Sequence, residues 1–310
     1  MPPIALDPSS NAGLITSDRA RRAVEESLLL LPTPAASVVA LAERLRRGGT
    51  MVLAGAGCST ESGIPDYRGP IGSRRERNPI QFLPFVRKES VRQRYWTRSV
   101  IGWPALSECP PNSTHFALAE LEGRGVTTGL VSQNVDGLHQ AAGHQELVEL
   151  HGSLSRVRCL SCYAAEHRDD YQQRLLKANP RVAEELPAGD RNEIAPDGDA
   201  EVDESTLSRF VIPSCLRCGG IMKPDVVFFG ENVPPHVTDR AISVYEQADH
   251  VLVVGSSLTV WSGFRFVKWA AEAGKAVSIM TLGPTRGDSL ASLNVQARLG
   301  DALPRLVQAL

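Results

Sequence analysis

The chain has little net charge and no long apolar run. Its 310 residues carry 33 Lys and Arg against 35 Asp and Glu, a formal net charge of −2. Because this balance creates no field that steers a protein toward DNA or RNA, we expect no nucleic-acid partner. No run of about 18 apolar residues occurs, so we expect no membrane-spanning helix and no membrane partner. The N-terminus lacks the basic start and apolar core of a secretion signal, which favours a cytoplasmic location.

Cysteine is also scarce, and four of the six cysteines form two C-x-x-C pairs. Without a secretion signal, such pairs indicate metal or redox chemistry rather than structural disulfides. A redox pair would lie on a strand-to-helix turn, and neither pair is predicted to do so. Four sulfurs favour one tetrahedral structural zinc ion, and we assign no chemistry to Cys58 or Cys109. The predicted ligands are Cys159, Cys162, Cys215 and Cys218.

Helical and strand patterns alternate along most of the chain. This alternation predicts an α/β fold, a Rossmann-like doubly wound parallel sheet with a small inserted zinc-binding module. A hydrophobic content of 42% is enough for a sizeable core. The predicted helices are 37–47, 114–122, 236–247 and 264–273, and the predicted strands are 51–54, 126–132, 250–255 and 276–282.

The alternation is interrupted between residues 154 and 225, where both cysteine pairs lie. We therefore assign 1–36 to an N-terminal extension, 37–153 with 225–310 to the Rossmann-like domain, and 154–224 to the zinc-binding module. The 52 residues between Cys162 and Cys215 form a long spacer, but the entropy cost of closing a loop grows slowly with its length. Within it, the acidic, proline-punctuated stretch 180–204 has too few large apolar residues to pack well and is predicted to be a mobile loop.

A glycine-rich loop follows the first predicted strand. Gly55 and Gly57 would let the backbone approach a pyrophosphate, with their amides binding its oxygens at a helix N-terminus. The ordinary Rossmann pattern would have its third glycine at Thr60. Asp66 and Arg68 follow, an acceptor and a forked donor suited to a ribose and a second phosphate. The alternative is a plain tight turn between a strand and a helix.

Polar side chains also follow two later strands. Gln133, Asn134 and Asp136 lie at the carboxyl end of a predicted parallel strand, where ligands bind in open α/β sheets; helix capping is the alternative. His151 follows the apolar run 147–150 and precedes Gly152. We expect its imidazole to project with little beside it, and an unperturbed pKa near 6.5 suits a general base. The alternative is a structural histidine.

Three further segments are candidates for ligand contacts. Residues 255–257 and 281–283 end two strands with small or polar groups. No acidic residue closes the second strand of a Rossmann unit, and this absence argues against hydride transfer. The run 223–231 predicts an apolar strand that keeps an open edge for an extended peptide, although a fully buried strand is possible. The arginine-rich stretch 92–98 holds Tyr95 and Arg98, and a solvated helix is the alternative there.

These motifs together resemble those of the sirtuins, NAD-dependent protein deacylases. Residues 55–68 match G-A-G-x-S-x-x-S-G-I-P-D-[FY]-R, and residues 132–139 match [TS]-Q-N-[VI]-D-x-L-H. His151 and Gly152 occupy the place of the family's catalytic His-Gly pair. The resemblance spans about residues 37 to 310, and residues 92–104 are similar to the class II branch, which includes the sirtuin 4 group.

The resemblance implies a reaction in which NAD is consumed as a co-substrate. The carbonyl oxygen of an acyl-lysine attacks the anomeric carbon of the ribose, nicotinamide leaves, and His151 then takes a proton from a ribose hydroxyl. The products are lysine, nicotinamide and O-acyl-ADP-ribose, and the partner is an acyl-lysine protein bound as an extended strand. It also implies one structural zinc ion held by the four cysteines. The alternatives are a protein mono-ADP-ribosyltransferase using the same NAD site and a non-catalytic NAD sensor.

The resemblance also assigns residues to roles. The implied catalytic residues are His151, Asn134 and Asp136. The implied NAD-binding residues are Gly55, Ala56, Gly57, Ser59, Glu61, Ile64, Pro65, Asp66, Tyr67, Arg68, Gln133, Asn134, Val135, Asp136, Gly255, Ser256, Ser257, Thr281, Leu282, Gly283 and Leu299. The implied substrate-binding residues are Val227, Phe228, Phe229 and Gly230, with Tyr95 and Arg98 resembling the Y-x-x-R pair that reads an acyl carboxylate in desuccinylating sirtuins.

Overall fold

The computed structural model describes residues 35–66, 79–185 and 209–310. The predicted N-terminal extension, apart from its last two residues, lies outside the described residues. So do Tyr67, Arg68 and residues 186–204 of the predicted acidic loop. Residues 180–185 of that loop form a helix, so the prediction of a mobile loop was wrong there. Within the described part, no helix is both long and apolar enough to cross a bilayer.

Nine strands and ten α-helices are formed by the described residues, with three short 3₁₀ helices. The strands are β1 Thr50–Ala54, β2 Thr127–Ser132, β3 Leu147–Glu149, β4 Gly152–Cys159, β5 Ala165–His167, β6 Met222–Val226, β7 His250–Val254, β8 Ala276–Thr281 and β9 Leu293–Gln296. The helices are α1 Ala35–Leu45, α2 Phe82–Arg87, α3 Glu89–Ser107, α4 Ser113–Gly123, α5 Leu138–Ala141, α6 Arg168–Ala178, α7 Pro180–Glu185, α8 Pro235–Glu246, α9 Trp261–Glu272 and α10 Leu299–Gln308.

Six of the strands form one parallel sheet in the order β3-β2-β1-β7-β8-β9. Alternate residues of the central strand β1 face opposite sides, as the two-residue period of a strand requires. Val52 and Ala54 pack in a cluster with α1, α4 and α10. Met51 and Leu53 pack in a second cluster with α8 and α9. The predicted doubly wound α/β fold is confirmed.

A second sheet of three antiparallel strands, in the order β5-β4-β6, forms the core of the inserted module. It shares a hydrophobic cluster with α3, which the sequence placed in the larger domain. Trp96 of α3 packs against Tyr171 of α6, with ring centroids 4.7 Å apart, and its indole N–H donates to the carbonyl of Met222 at 3.3 Å. The module and α3 therefore pack as one unit beside the large sheet.

Two predicted elements differ from the observed ones in a way that affects the site. Helix α9 begins at Trp261, three residues before the predicted start at 264. The predicted strand 223–231 was wrong in its second half, because β6 ends at Val226. The chain turns after it: the Glu231 amide donates to the Phe228 carbonyl at 3.0 Å, and Gly230 has a φ of 78°.

Candidate active site

A cavity of about 1550 Å³ lies at the carboxyl ends of the parallel strands. Its walls come from the loops after β1, β2, β7 and β8 on one side and from the segment after β6 on the other. Strand ends of this kind are where open α/β sheets bind their ligands. The volume exceeds the roughly 300–1,000 Å³ of a typical small-molecule site, so the cavity has room for a dinucleotide and part of a second substrate.

The glycine-rich loop after β1 crosses the loop after β7 at very close range. A Cβ on Gly57 would lie 2.9 Å from the Cα of Gly255, and one on Gly55 would lie 2.6 Å from the Cβ of Ser256. The amides of Gly55 and Gly57 donate to the carbonyls of Val254 and Gly255. The prediction that these two amides bind a pyrophosphate at a helix N-terminus was wrong. They hold two loops together, and the chain continues into short 3₁₀ turns at Ala56–Cys58 and Thr60–Ser62.

Ser59, Asn134 and Asp136 form a hydrogen-bonded network across the cavity floor. The Ser59 hydroxyl donates to Asp136 Oδ2 at 2.6 Å. Asn134 Nδ2 donates to Ser59 Oγ and to the Gly55 carbonyl, both at 3.1 Å. Burial raises the pKa of Asp136, while the bonds donated by Ser59 and by the Leu138 amide oppose the rise. The network joins the β1 and β2 loops, which the sequence assigned to the same ligand.

Two other polar side chains fix the walls of the cavity. Gln133 Nε2 donates to Ser256 Oγ at 3.0 Å, which ties the β2 loop to the β7 loop. Glu61 Oε1 accepts from the amide of Gly300, in the first turn of α10, at 3.3 Å. A carboxylate is favoured at a helix N-terminus by the helix dipole. A Cβ at Gly300 would lie 1.7 Å from Glu61 Oε2, so a larger residue there would displace the carboxylate from this contact.

His151 lies between β3 and β4 with both ring nitrogens engaged. Nδ1 is 2.8 Å from the Gln133 carbonyl oxygen, and Nε2 is 2.7 Å from Ser262 Oγ. The expectation that little lies beside this ring was therefore wrong. Burial lowers the pKa of His151 below 6.5, the bond to the Gln133 carbonyl opposes this, and the charge of Arg265 adds to the lowering. The imidazole is accordingly neutral at pH 7.

The segment after β6 is attached to the backbone of His151. The Val227 amide donates to the His151 carbonyl at 2.8 Å. Gly152 makes this approach possible, since a Cβ there would lie 2.0 Å from the Asp225 carbonyl oxygen. Among the described residues, none donates a hydrogen bond to the Val227 carbonyl. That oxygen is therefore an acceptor without a partner on the cavity wall.

Aromatic rings close one end of the cavity. Phe228 packs against Phe85 and Tyr95, with ring centroids 5.1 and 5.4 Å apart. Tyr95 is buried and lines the cavity, whereas Arg98, one turn further along α3, is not among the lining residues. The structure thus brings one member of the predicted Y-x-x-R pair to the site.

Apart from Arg98, every described residue that the sequence assigned to NAD or substrate lines this one cavity. Cavity residues that the sequence analysis missed include Ser262 and Arg265 of α9 and Thr238 of α8. Ser262 and its neighbour Gly263 lay between a predicted strand and a predicted helix, because the helix was expected to start later. The Ser-Gly pair directly before an apolar helix was the one available signal.

The four predicted zinc ligands converge in the module. Their Sγ atoms all lie within 4.8 Å of one another, and the pairs Cys159–Cys218 and Cys162–Cys215 are 3.5 and 3.7 Å apart. Tetrahedral zinc with bonds of about 2.3 Å requires sulfur separations of about 3.8 Å. These thiols therefore fit a zinc ion.

The two C-x-x-C turns have the same shape. Each is followed by a residue with positive φ, Tyr163 at 58° and Gly219 at 73°. A Cβ on Gly220 would lie 2.9 Å from Cys159 Sγ, so glycine leaves space for the second turn beside the sulfur. With four protein ligands no position remains open for water, and the predicted structural role follows.

This fold and site define an enzyme class that binds a dinucleotide at the carboxyl edge of a Rossmann-like sheet and carries a Cys₄ module. The sequence profile of the Sir2 family matches residues 55–262. The chain belongs to the Sir2 family.

Curated relatives and solved structures agree with this placement. An "NAD-dependent protein deacetylase" of Xanthomonas campestris pv. campestris is 51% identical over 257 residues, 83% of this chain and 86% of the relative. "NAD-dependent protein deacetylase 1" of Streptomyces coelicolor is 47% identical over 280 residues, 90% and 92% of the two chains. A structure described as "Sir2 bound to acetylated peptide" superposes with a TM-score of 0.65 at 27% identity, covering 84% and 92%. Another, "Structural Basis for the Mechanism and Regulation of Sir2 Enzymes", gives 0.67 at 28% identity, covering 88% and 97%.

Proposed function

We propose that the protein is an NAD-dependent protein-lysine deacetylase and deacylase. The observation that carries the proposal is the position of His151, a neutral base whose Nε2 faces the same cavity as the Ser59–Asn134–Asp136 network and the Val227 carbonyl. The curated relatives are NAD-dependent protein deacetylases.

In this reaction NAD supplies an electrophilic ribose carbon and a nicotinamide leaving group. Asn134 and Asp136 line the nicotinamide end, where the Ser59 hydroxyl fixes the orientation of the Asp136 carboxylate. Gln133 lies between the β2 and β7 loops and contacts the ribose. The residues 255–257, 281–283 and Leu299 hold the adenosine half.

His151 acts as the general base. A backbone carbonyl can only accept a hydrogen bond, so Nδ1 beside the Gln133 carbonyl carries the ring proton. Nε2 keeps the lone pair, which accepts from the Ser262 hydroxyl until a ribose hydroxyl takes the place of that donor. Nε2 therefore takes the proton from a ribose hydroxyl, which becomes the nucleophile for the acyl carbon. A base of this kind typically contributes about 10²–10⁴-fold to a rate.

The acyl-lysine substrate binds in an extended form beside residues 227–230. The carbonyls of Phe228 and Phe229 already accept from the amides of Glu231 and Phe82, so the Val227 carbonyl is the acceptor that this segment offers. The Val227 carbonyl accepts the N–H of the acylated side chain, and Phe228 and Tyr95 enclose the acyl group. Phe229 and Trp261 flank the cavity with side chains 43% and 52% exposed. In strand addition, main-chain hydrogen bonds hold the peptide and pockets receive its alternate side chains.

We also propose that the chain belongs to the class II branch and removes acidic or long acyl groups beside acetyl. Tyr95 lines the cavity end, and Arg98 lies one turn away on the same helix. Arg98→Ala should then reduce succinyl or glutaryl removal more than acetyl removal. An equal loss on all acyl groups would contradict this part of the proposal. The cytoplasmic location stays a prediction.

The test is incubation of the purified protein with NAD and matched acetyl-, succinyl-, glutaryl- and lipoyl-lysine peptides, followed by mass spectrometry of all products. Loss of the acyl group together with nicotinamide and O-acyl-ADP-ribose supports the proposal. ADP-ribose attached to protein with the acyl groups retained would favour mono-ADP-ribosyl transfer. His151→Ala should abolish deacylation, and His236→Ala, an exposed histidine on α8, should not.

A further inference from the structure

The side of His151 that faces the cavity contacts a residue that the sequence motifs do not include. Ser262 is the second residue of α9, and its hydroxyl oxygen is 2.7 Å from His151 Nε2. The Gln133 carbonyl is 2.8 Å from Nδ1 on the other side of the ring. The imidazole is thus held at both nitrogens, by two elements that are far apart in sequence.

The direction of the second hydrogen bond follows from the first. Nδ1 must carry the proton because its partner is a carbonyl, so Nε2 is the acceptor and the Ser262 hydroxyl donates. A hydroxyl is also an acceptor. Once Nε2 has taken up a proton, the hydroxyl can rotate and accept the new Nε2–H. Ser262 can therefore be a partner of both protonation states of the ring.

We propose that Ser262 is a positioning residue for His151: its hydroxyl holds the ring in the orientation in which Nε2 meets the ribose hydroxyl, and it releases the Nε2 lone pair when that hydroxyl arrives. The inference rests on the proposed function in one respect, that His151 is the base. Ser262 acts through the imidazole and performs no step of its own. It precedes Gly263, and the two residues act together.

Gly263 supports the other partner of the ring. A Cβ at this position would lie 2.5 Å from Gln133 Oε1 and 2.7 Å from Gln133 Cδ. Glycine therefore lets the Gln133 side chain lie against the first turn of α9, where its Nε2 reaches Ser256. The Ser262-Gly263 pair thus places both the hydroxyl on Nε2 and the residue whose carbonyl binds Nδ1.

The Ser262 hydroxyl should also affect the pKa of His151. Arg265, which lies on α9 with Ser262, is the charged group that acts on the His151 ring. The residues of other elements that contact His151, Gln133 and Val227, are uncharged. Removing the hydroxyl leaves a buried Nε2–H⁺ without a partner in the protonated state and a bare lone pair in the neutral state. Hydrogen bonds to charged groups are the stronger ones, so the protonated state loses more. Ser262→Ala should therefore lower the pKa of His151 further.

The experiment compares wild type, Ser262→Ala, Ser262→Thr and the control Ser243→Ala, an exposed serine on α8. The His151 pKa is measured in the ligand-free protein by NMR of ¹⁵N,¹³C-labelled histidine. Turnover is measured with NAD and an acetyl-lysine peptide. We expect Ser262→Ala to lower the His151 pKa and to reduce kcat about tenfold, the effect of one hydrogen bond, with KM for NAD unchanged. Ser262→Thr keeps the hydroxyl and should restore both, and Ser243→Ala should match wild type.

An unchanged pKa and kcat in Ser262→Ala would overturn the proposal, and so would a Thr variant that behaves like the Ala variant. If Ser262→Ala fails to fold by circular dichroism, Ser262→Cys decides, because a thiol is a weak donor and should give an intermediate pKa. The NMR titration needs no turnover. A wild-type protein inactive on every peptide therefore counts against the proposed function alone, while the titration still tests Ser262.

Discussion

The amide of Val227 donates a hydrogen bond to the carbonyl of His151 at 2.8 Å. This bond joins the proposed base to the segment proposed to bind the acyl-lysine. Val227 lines the cavity, and among the described residues none donates a hydrogen bond to its carbonyl. A shift of this segment would displace the substrate and the base together, so the geometry of the two is coupled through one backbone contact.

The activity should depend on pH through His151. Its pKa is below 6.5, and a general base works in its neutral form, so kcat/KM should fall only at acidic pH, with a midpoint below 6.5. Removing the positive charge of Arg265 favours protonation of the ring. Arg265→Gln should therefore move this midpoint to higher pH. A wild-type midpoint above 7, or a shift in the opposite direction, would contradict the assignment.

The crossing of the two glycine loops should be sensitive to a single methyl group. Gly57→Ala places a Cβ 2.9 Å from the Gly255 backbone, so the loops must separate and the cavity must change shape. We expect NAD binding, measured by calorimetry, to weaken at least about tenfold, the effect of about 1.4 kcal/mol.

Gly123→Ala is the matched control. No atom lies within 4 Å of a Cβ at Gly123, which ends α4. It should bind NAD like wild type. Equal affinity for NAD in both variants would show that the loop crossing does not shape the binding site.

Zinc removal should disturb the substrate segment as well as the module. Cys215 and Cys218 precede β6, which runs directly into Val227. Cys215→Ser should lose the metal, with less than one zinc per chain by plasma mass spectrometry, and should lose deacylation. Cys109→Ser changes a buried thiol outside the cluster and should retain one zinc. Full activity in a zinc-free Cys215→Ser protein would exclude the proposed structural role.

The stability of the fold should fall in acid because several histidines are buried in the neutral form. Burial lowers the pKa of His115 to about 4, with the charge of nearby His144 adding to the effect. Between pH 4 and 6.5 the unfolded chain binds the proton and the folded chain does not, so stability is lost as pH falls through this range. For His115 the full loss is about 3 kcal/mol.

His115→Gln tests this linkage. His115 Nδ1 accepts from the Asn112 amide at 3.2 Å at the start of α4, and a glutamine oxygen can make the same capping contact. The variant should lose less stability than wild type between pH 6.5 and 4.5, measured by urea unfolding. The exposed His236→Gln should follow wild type. Identical pH dependence in all three proteins would refute the linkage.

Much of the fold could be predicted because its signals are local. The runs around β1, β7 and β8 are apolar and bounded by glycine or polar residues, and their ends were predicted to within one residue. The family and the Cys₄ cluster were also indicated by motifs, and both predictions are confirmed. The class II branch remains a prediction.

The sequence could not show contacts between segments that lie far apart along the chain. The sequence pattern indicates that Gly55 and Gly57 bind phosphate, but their amides donate to the carbonyls of Val254 and Gly255, some 200 residues away in the chain. The surroundings of His151 depend in the same way on Ser262, more than 100 residues later. No local pattern shows which distant residue makes either contact. Likewise, nothing in 92–98 indicated that Trp96 would pack in the core of the module.

The most direct test of the account is the stoichiometry of the products. Purified protein, NAD and an acetyl-lysine peptide are incubated, and free lysine peptide, nicotinamide and O-acetyl-ADP-ribose are quantified by mass spectrometry in one time course. We expect free lysine peptide, nicotinamide and O-acetyl-ADP-ribose to form in equal amounts, and we expect the His151→Ala variant to form none of them. Nicotinamide without deacetylated peptide, or deacetylated peptide with free acetate and no acetyl-ADP-ribose, would contradict it.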